Sequence, residues 1–293
     1  MIIPIYKPSG MTSHDVTAKL KRAFTVKPKI GHTGTLDPMC TGVLVVLTDN
    51  DTKLSDLLPS DKAYRATMKI GISTDTQDVT GEIIENSSIR PSYEEIKTAA
   101  ESFIGTYEQT PPMYSAVKKN GVPLYKLARK GETVEIESKK VSIFSIKNTE
   151  MISSDEFAFD VDCSGGTYIR TLCEDIGKKL GVPCCMKALK RTVANGFLLK
   201  DTIPLDKAIE LASEMKLEEY AIPYKEVFKN LPTVIIPDNG LNYYLNGGRL
   251  NLNRCTADNY NSETYTAYDT NGNLLGLAGI INGEFFGKWK IQK

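Results

Sequence analysis

From Lys62 to Ile72 the chain alternates: Tyr64, Ala66, Met68, Ile70 and Ile72 are apolar, and mostly polar or charged residues stand between them. A period of two is the mark of a half-buried strand. Phe157, Phe159, Val161 and Cys163 repeat it, and Val141 to Ile146 reads as their partner strand. Val43-Leu-Val-Val-Leu47 is instead an unbroken run of β-formers, which predicts a buried strand. Met1 to Tyr6 predicts a short strand, broken by Lys7-Pro-Ser-Gly. Helical spacing takes over at Val16, Leu20, Ala23 and Phe24, where Thr12-Ser-His-Asp15 has the spacing of a capping box. Ser92 and Glu95 form a second box ahead of Ile96, Ala99, Ala100 and Phe103, with Gly105 as the expected stop. A third stripe, Ile169, Leu172, Cys173, Ile176 and Leu180, closes at Gly181 and Pro183. Pro204 begins a fourth, with Leu205, Ala208, Ile209, Ala212 and Met215 inward. After Leu231-Pro232 helix signals thin out, and Asn271-Gly272 and Asn282-Gly283 mark hairpins. A mixed α/β body over 1–230 and a small all-β domain over 231–293 are therefore expected.

Composition adds exclusions. Of 293 residues, 41% are hydrophobic and 25% charged, which is ordinary for a soluble globular chain and excludes disordered and collagen-like classes. No apolar run approaches the ~18 residues of a membrane span. Met1-Ile-Ile-Pro-Ile-Tyr-Lys has no basic region ahead of its apolar residues, so no signal peptide is expected and the cytoplasm is the default. Six cysteines without a Cys-x-x-Cys pair, beside only His14 and His32, offer no zinc set and suit reduced, buried thiols. No Gly-rich nucleotide fingerprint is present, so no cofactor is expected.

The net charge of zero conceals segregation. Lys19, Lys21, Arg22, Lys27 and Lys29 form one basic stretch, Lys118, Lys119, Lys126, Arg129 and Lys130 a second, and Lys178, Lys179, Lys187, Lys190, Arg191 and Lys200 a third. On one face they would bind phosphate; pointing apart they would only solvate the surface. Asn120-Gly121 suggests a turn inside the second stretch.

Gly31 to Gly42 is punctuated by Gly31, Gly34, Pro38 and Gly42, and holds one carboxylate, Asp37, among His32, Thr33, Thr35 and Thr41. Two readings fit Asp37: a cap on the turn at Pro38, or a reactive group presented by a loop pinned to the strand that follows. Arg170 lies in the first turn of a helix, where a cation opposes the helix dipole and calls for an anion nearby. A phosphate and a carboxylate such as Asp37 both qualify, as does an exposed arginine that tolerates the cost.

Six stretches in order, Lys7-Pro-Ser-Gly-Met-Thr-Ser-His-Asp, Gly31-His-Thr-Gly-Thr-Leu-Asp-Pro-Met-Cys-Thr-Gly-Val-Leu, Lys62-Ala-Tyr-Arg-Ala, Thr74-Asp-Thr-Gln-Asp, Gln109-Thr-Pro-Pro-Met-Tyr-Ser-Ala-Val-Lys and Cys163-Ser-Gly-Gly-Thr-Tyr-Ile-Arg-Thr-Leu, resemble the TruB family of tRNA pseudouridine synthases over most of the first 230 residues. The resemblance implies an α+β pseudouridine synthase fold: a central, mostly antiparallel mixed sheet flanked by helices, a thumb-like insertion at about 112–140, and a PUA-like RNA-binding domain at the C-terminus. It implies an isomerase that flips out the T-loop uridine at position 55 of tRNA, cuts its N-glycosidic bond and rejoins the base through C5, with no cofactor and no metal. The partner is the tRNA T arm; no membrane or protein partner is implied, and the enzyme would act as a monomer.

The family's catalytic carboxylate falls on Asp37, its pairing arginine on Arg170 and its base-packing aromatic on Tyr64. Tyr168 and Leu189 match pocket walls and His32 the flipping histidine, while Lys7, Thr35 and Asp78 join the substrate-binding set. Lys19, Arg22, Lys126, Arg129, Lys130, Lys187 and Arg191 are expected on the RNA backbone. Two departures stand out: Lys190 occupies a place where a second arginine is common, and residues from Leu231 on carry five basic against five acidic groups. A tRNA-binding folding factor without catalysis is the rival function; an Asp-dependent hydrolase lacks a second carboxylate in the loop.

Overall fold

The computed structural model describes every residue except 120, 133, 292 and 293, so Asn120 of the expected turn lies outside the described residues. In chain order the first strands and helix are β1 (Ile2–Lys7), α1 (Ser13–Ala23), β2 (Ile30–His32), β3 (Thr41–Thr48) and β4 (Lys62–Ile70). A side hairpin, β5 (Ile72–Thr74) and β6 (Ile83–Asn86), precedes α2 (Tyr93–Glu101) and β7 (Gly105–Gln109). A second hairpin, β8 (Lys118–Lys119) and β9 (Val122–Pro123), leads into α3 (Leu124–Ala128). Then come β10 (Lys139–Ser153), β11 (Glu156–Cys163), α4 (Ile169–Leu180), β12 (Cys184–Ala194), β13 (Phe197–Leu198), β14 (Ile203–Pro204), α5 (Leu205–Ser213) and α6 (Tyr224–Val227).

Ten of these strands form one sheet, ordered β14-β1-β3-β12-β4-β11-β10-β7, with β2 on β3 and β13 on β12. Only β1 with β14 and β3 with β12 run parallel, so the sheet is mixed and mostly antiparallel as expected. The alternation read from Lys62 survives as a strand with Tyr64, Ala66, Met68 and Ile70 buried, and the apolar run becomes β3, buried from Gly42 to Thr48. Both capping boxes form: Thr12 Oγ1 accepts from the Asp15 N–H at 3.0 Å while the Asp15 carboxylate accepts from the Thr12 N–H, and Ser92 and Glu95 repeat the exchange.

Three boundaries differ. Gly71, at φ +98°, ends β4 and puts Ile72 into the side hairpin. The helix before Gly105 stops at Glu101, and Gly105 opens β7 with φ +117°. Met215 is 79% exposed with φ +60°, because α5 has already ended at Ser213 and the chain turns left-handed there.

The tail is a six-stranded sheet of β15 (Thr233–Ile236), β16 (Leu250–Asn251), β17 (Thr256–Ala257), β18 (Tyr265–Asp269), β19 (Leu274–Ile281) and β20 (Glu284–Lys290). It carries one helix the hairpin signals did not announce, α7 (Asp238–Leu245), which follows Pro237 and has an acid in its first turn. Trp289 and Leu277 of this sheet share a hydrophobic cluster with Ile2, Val43, Val45 and Leu47, and Tyr224 meets Trp289 edge-on at 5.0 Å. The apolar β3 is thus covered on both faces: this cluster takes one, and Ile3, Ile5, Val16, Leu20, Leu44 and Val46 pack on the other.

The parallel pairing of β3 with β12 sets Gly42 beside Arg191. Gly42 has φ +108°, and a Cβ there would collide with the Arg191 backbone. Gly42→Ala should therefore destabilise the chain by about 2–3 kcal/mol. Chemical denaturation checks this, and an unchanged midpoint would show that the strand junction tolerates a side chain.

Candidate active site

Residues 33–40 link β2 to β3 and have few ladder partners, yet most carbonyls of the stretch are taken. The Thr33 N–H reaches the Val45 carbonyl at 3.1 Å. Arg191 donates to the Gly34 carbonyl at 3.0 Å and the Val43 carbonyl at 2.7 Å. Ser13, at the start of α1, accepts from the Leu36 N–H at 2.8 Å and donates to the Leu36 carbonyl at 3.2 Å. The Lys7 ammonium spends its three protons on the carbonyls of Cys40, Pro8 and Pro38, at 2.7, 3.0 and 3.2 Å. Ser9 donates to the Met39 carbonyl at 3.1 Å, and Thr33 donates to Asn195 of the β12–β13 turn.

Asp37 does not cap the turn at Pro38. Its backbone carbonyl closes that turn by accepting from the Cys40 N–H at 3.0 Å, which frees the carboxylate. Arg170 takes it as a fork, Nε to Oδ2 at 2.9 Å and NH2 to Oδ1 at 3.3 Å. Of the anions that could answer the helix dipole at Arg170, the structure holds the carboxylate. The same guanidinium donates to the carbonyls of Thr76 and Tyr114, each at 2.8 Å, and its Nε lies 4.0 Å from Asp78. Burial pushes the Asp37 carboxyl above its ordinary value; Arg170 pulls it down and Asp78 raises it further. The pairing expected to keep Asp37 ionised therefore works against a larger opposing effect of burial.

The floor beside Asp37 is apolar. Tyr64 of β4 and Leu189 of β12 share a cluster with Leu36, Cys40 and Ile169. Burial pushes the Tyr64 hydroxyl up to about 12 against the pull of Arg191, and the Cys40 thiol likewise to about 12, so both stay protonated at neutral pH. Tyr168 stands at the N-cap of α4, where Gln109 accepts from its N–H at 2.8 Å and donates to its carbonyl at 3.1 Å. His32 ends β2; burial and then Arg191 lower its pKa, so its ring is neutral, and Nδ1 is buried without a hydrogen-bond partner among the described residues. Thr35 is exposed on the loop.

Several expected contacts are instead structural. Lys7 and Arg191, 0% and 1% exposed, face inward and hold the loop, so neither stands exposed as a free phosphate contact. Asp78, also buried, accepts from Thr76 and from the Thr80 N–H and so shapes its own turn. Lys187 is exposed but paired with Glu156, which it shares with Lys69. Lys19 and Arg22 lie exposed on α1, and Lys126, Arg129 and Lys130 around α3. Sequence reasoning passed over Ser13, Gln109 and Asn195; the Asn195-Gly196 turn, at φ +55° and +82°, carries a hairpin signal that was there to be read.

Among the described residues no group of three His, Cys, Asp or Glu side chains could hold a metal ion, and no helix is long and apolar enough to cross a membrane. Residues 21–169 match the family model for the N-terminal domain of TruB family pseudouridylate synthases. The chain is 40% identical over 279 residues to the tRNA pseudouridine synthase B of Clostridium perfringens (strain SM101 / Type A), covering 94% of this chain and 93% of that one. It is 44% identical over 261 residues to that of Staphylococcus aureus (strain Newman), covering 86% and 85%. Among solved structures it resembles a chain of a Cbf5-Nop10-Gar1 complex, with a TM-score of 0.73 and 25% identity over 100% of this chain and 84% of that one. A chain of an H/ACA RNP bound to a substrate RNA containing 2'-deoxyuridine shares the fold at a TM-score of 0.71, with 24% identity over 96% of this chain and 78% of that one. Fold, motif order and identity over nearly the whole length agree: the chain belongs to the TruB family of pseudouridylate synthases.

Proposed function

We propose that the chain is a tRNA pseudouridine synthase that isomerises the T-loop uridine at position 55, acting as a monomer in the cytoplasm without a cofactor. The observation that carries this reading is the Asp37 carboxylate, forked by Arg170 over an apolar floor on a loop held by Lys7, Ser13 and Arg191. The reaction breaks the bond from ribose C1' to N1, turns the base, forms a bond from C1' to C5, and moves the C5 proton ultimately to N1. Atoms and electrons balance with nothing added. Asp37 supplies negative charge at the reacting nucleotide while the glycosidic bond breaks, and Tyr64 and Leu189 pack on the base. Arg170 orients the carboxylate and favours its ionised form against burial.

The target base must leave its stack, at a cost of a few kcal/mol. His32, neutral because of burial and Arg191, suits a ring that fills the vacated stack rather than one that grips phosphate. The segment around α3 is the thumb-like insertion, with Lys126, Arg129 and Lys130 as phosphate contacts, joined by Lys19 and Arg22 on α1. Residues 1–230 are the catalytic domain, and the sheet from Thr233 on is a PUA-like RNA contact led by shape, since its charges balance. A folding factor that only bound tRNA would have no use for the Asp37–Arg170 fork.

Asp37→Asn should abolish tritium release from C5-labelled uridine in a T-arm transcript while binding stays nearly unchanged; equal release by the variant removes Asp37 from the chemistry. The acid limb of the wild-type pH–rate profile should lie above 3.8, the ordinary carboxyl value, because the reactive carboxylate forms only as pH rises through a raised pKa. Asp78→Asn, which removes a neighbouring negative charge, should move that limb down, and an upward move contradicts the assignment. Replacing Lys126, Arg129 and Lys130 with Glu should weaken binding and flatten its salt dependence by roughly 0.7–0.9 in log–log slope per lost contact. An unchanged slope takes α3 off the RNA surface.

A further inference from the structure

We propose that Lys62, with the Arg191 guanidinium fixed behind it and the bare backbone of Gly34 between them, binds one phosphodiester flanking the target uridine. The proposal rests on the isomerase reading for the nature of its ligand, RNA.

Lys62 is the first residue of β4 and is paired on both sides, with Cys163 of β11 and Ala194 of β12, so its backbone is fixed. A period of two puts its side chain on the face of Tyr64, the base-packing aromatic. Its ammonium donates to the Ser60 carbonyl at 3.1 Å, which engages one of three protons. Among the described residues Lys62 makes no ion pair, unlike Lys69 on the same strand, which pairs with Asp155 at 2.6 Å.

Gly34 is where the two cations converge. A Cβ at Gly34 would stand 3.4 Å from Lys62 Cε, 4.0 Å from Lys62 Nζ and 3.5 Å from Arg191 NH1. Arg191 is buried and committed to the Val43 and Gly34 carbonyls, so it acts as a charge fixed beneath the surface. Lys62 is half-buried and supplies the donor. Two like charges in a partly desolvated place repel each other, and burial and Arg191 both lower the pKa of Lys62. An anion seated between them relieves both costs. Gly34 is three residues before Asp37, a span of at most roughly 10 Å, which one nucleotide covers from base to phosphate. A side chain at Gly34 would fill the space that the phosphate needs.

The test is a cycle across the interface, read as binding by the full-length Asp37→Asn protein, which leaves the RNA unreacted. T-arm RNAs carry a neutral methylphosphonate at each loop phosphate in turn, and affinity is followed by fluorescence anisotropy with Lys62 intact, Lys62→Met, Lys62→Gln and Lys62→Arg. The expected result is that one flanking methylphosphonate weakens binding about tenfold with Lys62 intact and changes nothing with Met or Gln. Lys62→Arg should keep the sensitivity, and the neutral variants should lose about one phosphate's worth of salt slope, roughly 0.7–0.9. If every methylphosphonate costs the same with and without the charge at 62, the assignment is overturned. Circular dichroism shows whether Lys62→Met folds, and Lys62→Gln and Lys62→Arg decide the matter if it does not. An active enzyme that lacks the coupling overturns the Lys62 assignment alone. Coupling in the Asp37→Asn protein, where the wild-type chain releases no tritium either, upholds that assignment and overturns the isomerase reading.

Discussion

A loop that leaves a sheet gives up its ladder hydrogen bonds, and buried carbonyls without partners are costly. In this chain that constraint is met by cations turned inward. Lys7 closes the C-terminal end of residues 33–40, Arg191 the N-terminal end, and Arg170 the carboxylate between them. Each comes from a different element, β1, β12 and α4, so the loop is tied to the sheet and to a helix at once. Ser13 adds α1 through the Leu36 amide and carbonyl. The result is a segment without regular structure that has little freedom to relax, which is what a carboxylate needs to stay in one place next to an apolar floor.

The same arrangement sets the electrostatics. Asp37 is a half-buried anion whose nearest cation also serves a second carboxylate, Asp78, at 4.0 Å. Burial and Asp78 raise the carboxyl, Arg170 and Lys7 lower it, and burial is the largest of the four. A freely exposed Asp would ionise more readily but would meet its substrate in water, where its charge is worth less. The Cys40 thiol beside it, pushed up to about 12, and the Tyr64 hydroxyl, likewise up to about 12, stay neutral, so Asp37 holds the negative charge facing the floor.

Local physics made much of the architecture legible. Capping boxes at Thr12 and Ser92 involve three consecutive steps of chain and formed as read. So did the alternation of β4 and the apolar run of β3, because burial on one face or two writes its period directly into the residues. The Asp37–Arg170 pair was half legible: the helix dipole asked for an anion, and only family resemblance chose among the candidates. The inward role of Lys7 and Arg191 was illegible for a physical reason. A lysine or arginine is usually solvated, and nothing local tells that two or three carbonyls about 30 or 150 residues away are waiting for it. The helix α7 was missed because its eight residues, Asp-Asn-Gly-Leu-Asn-Tyr-Tyr-Leu, include a glycine and two asparagines, which are poor helix formers.

Gly42 shows how these non-local demands reach back into the sequence. Parallel pairing of β3 and β12 brings Arg191 against residue 42, so that position loses its side chain, and the arginine's own side chain then runs on to Gly34. Two glycines eight residues apart thus serve one arginine, the first by letting the strands meet and the second by leaving its carbonyl and its flank open. Arg170 makes the complementary link outward. Of its acceptors, the Asp37 carboxylate and the Thr76 carbonyl belong to loops beside the sheet, but the Tyr114 carbonyl belongs to the segment that leads into α3. That segment is joined to the site through the guanidinium that holds Asp37. Any displacement of it removes an acceptor from a buried cation and leaves that cation the Asp37 carboxylate and the Thr76 carbonyl as its remaining near partners. Seating of the α3 segment and the orientation of Asp37 are therefore one energetic problem, with Arg170 as the shared term.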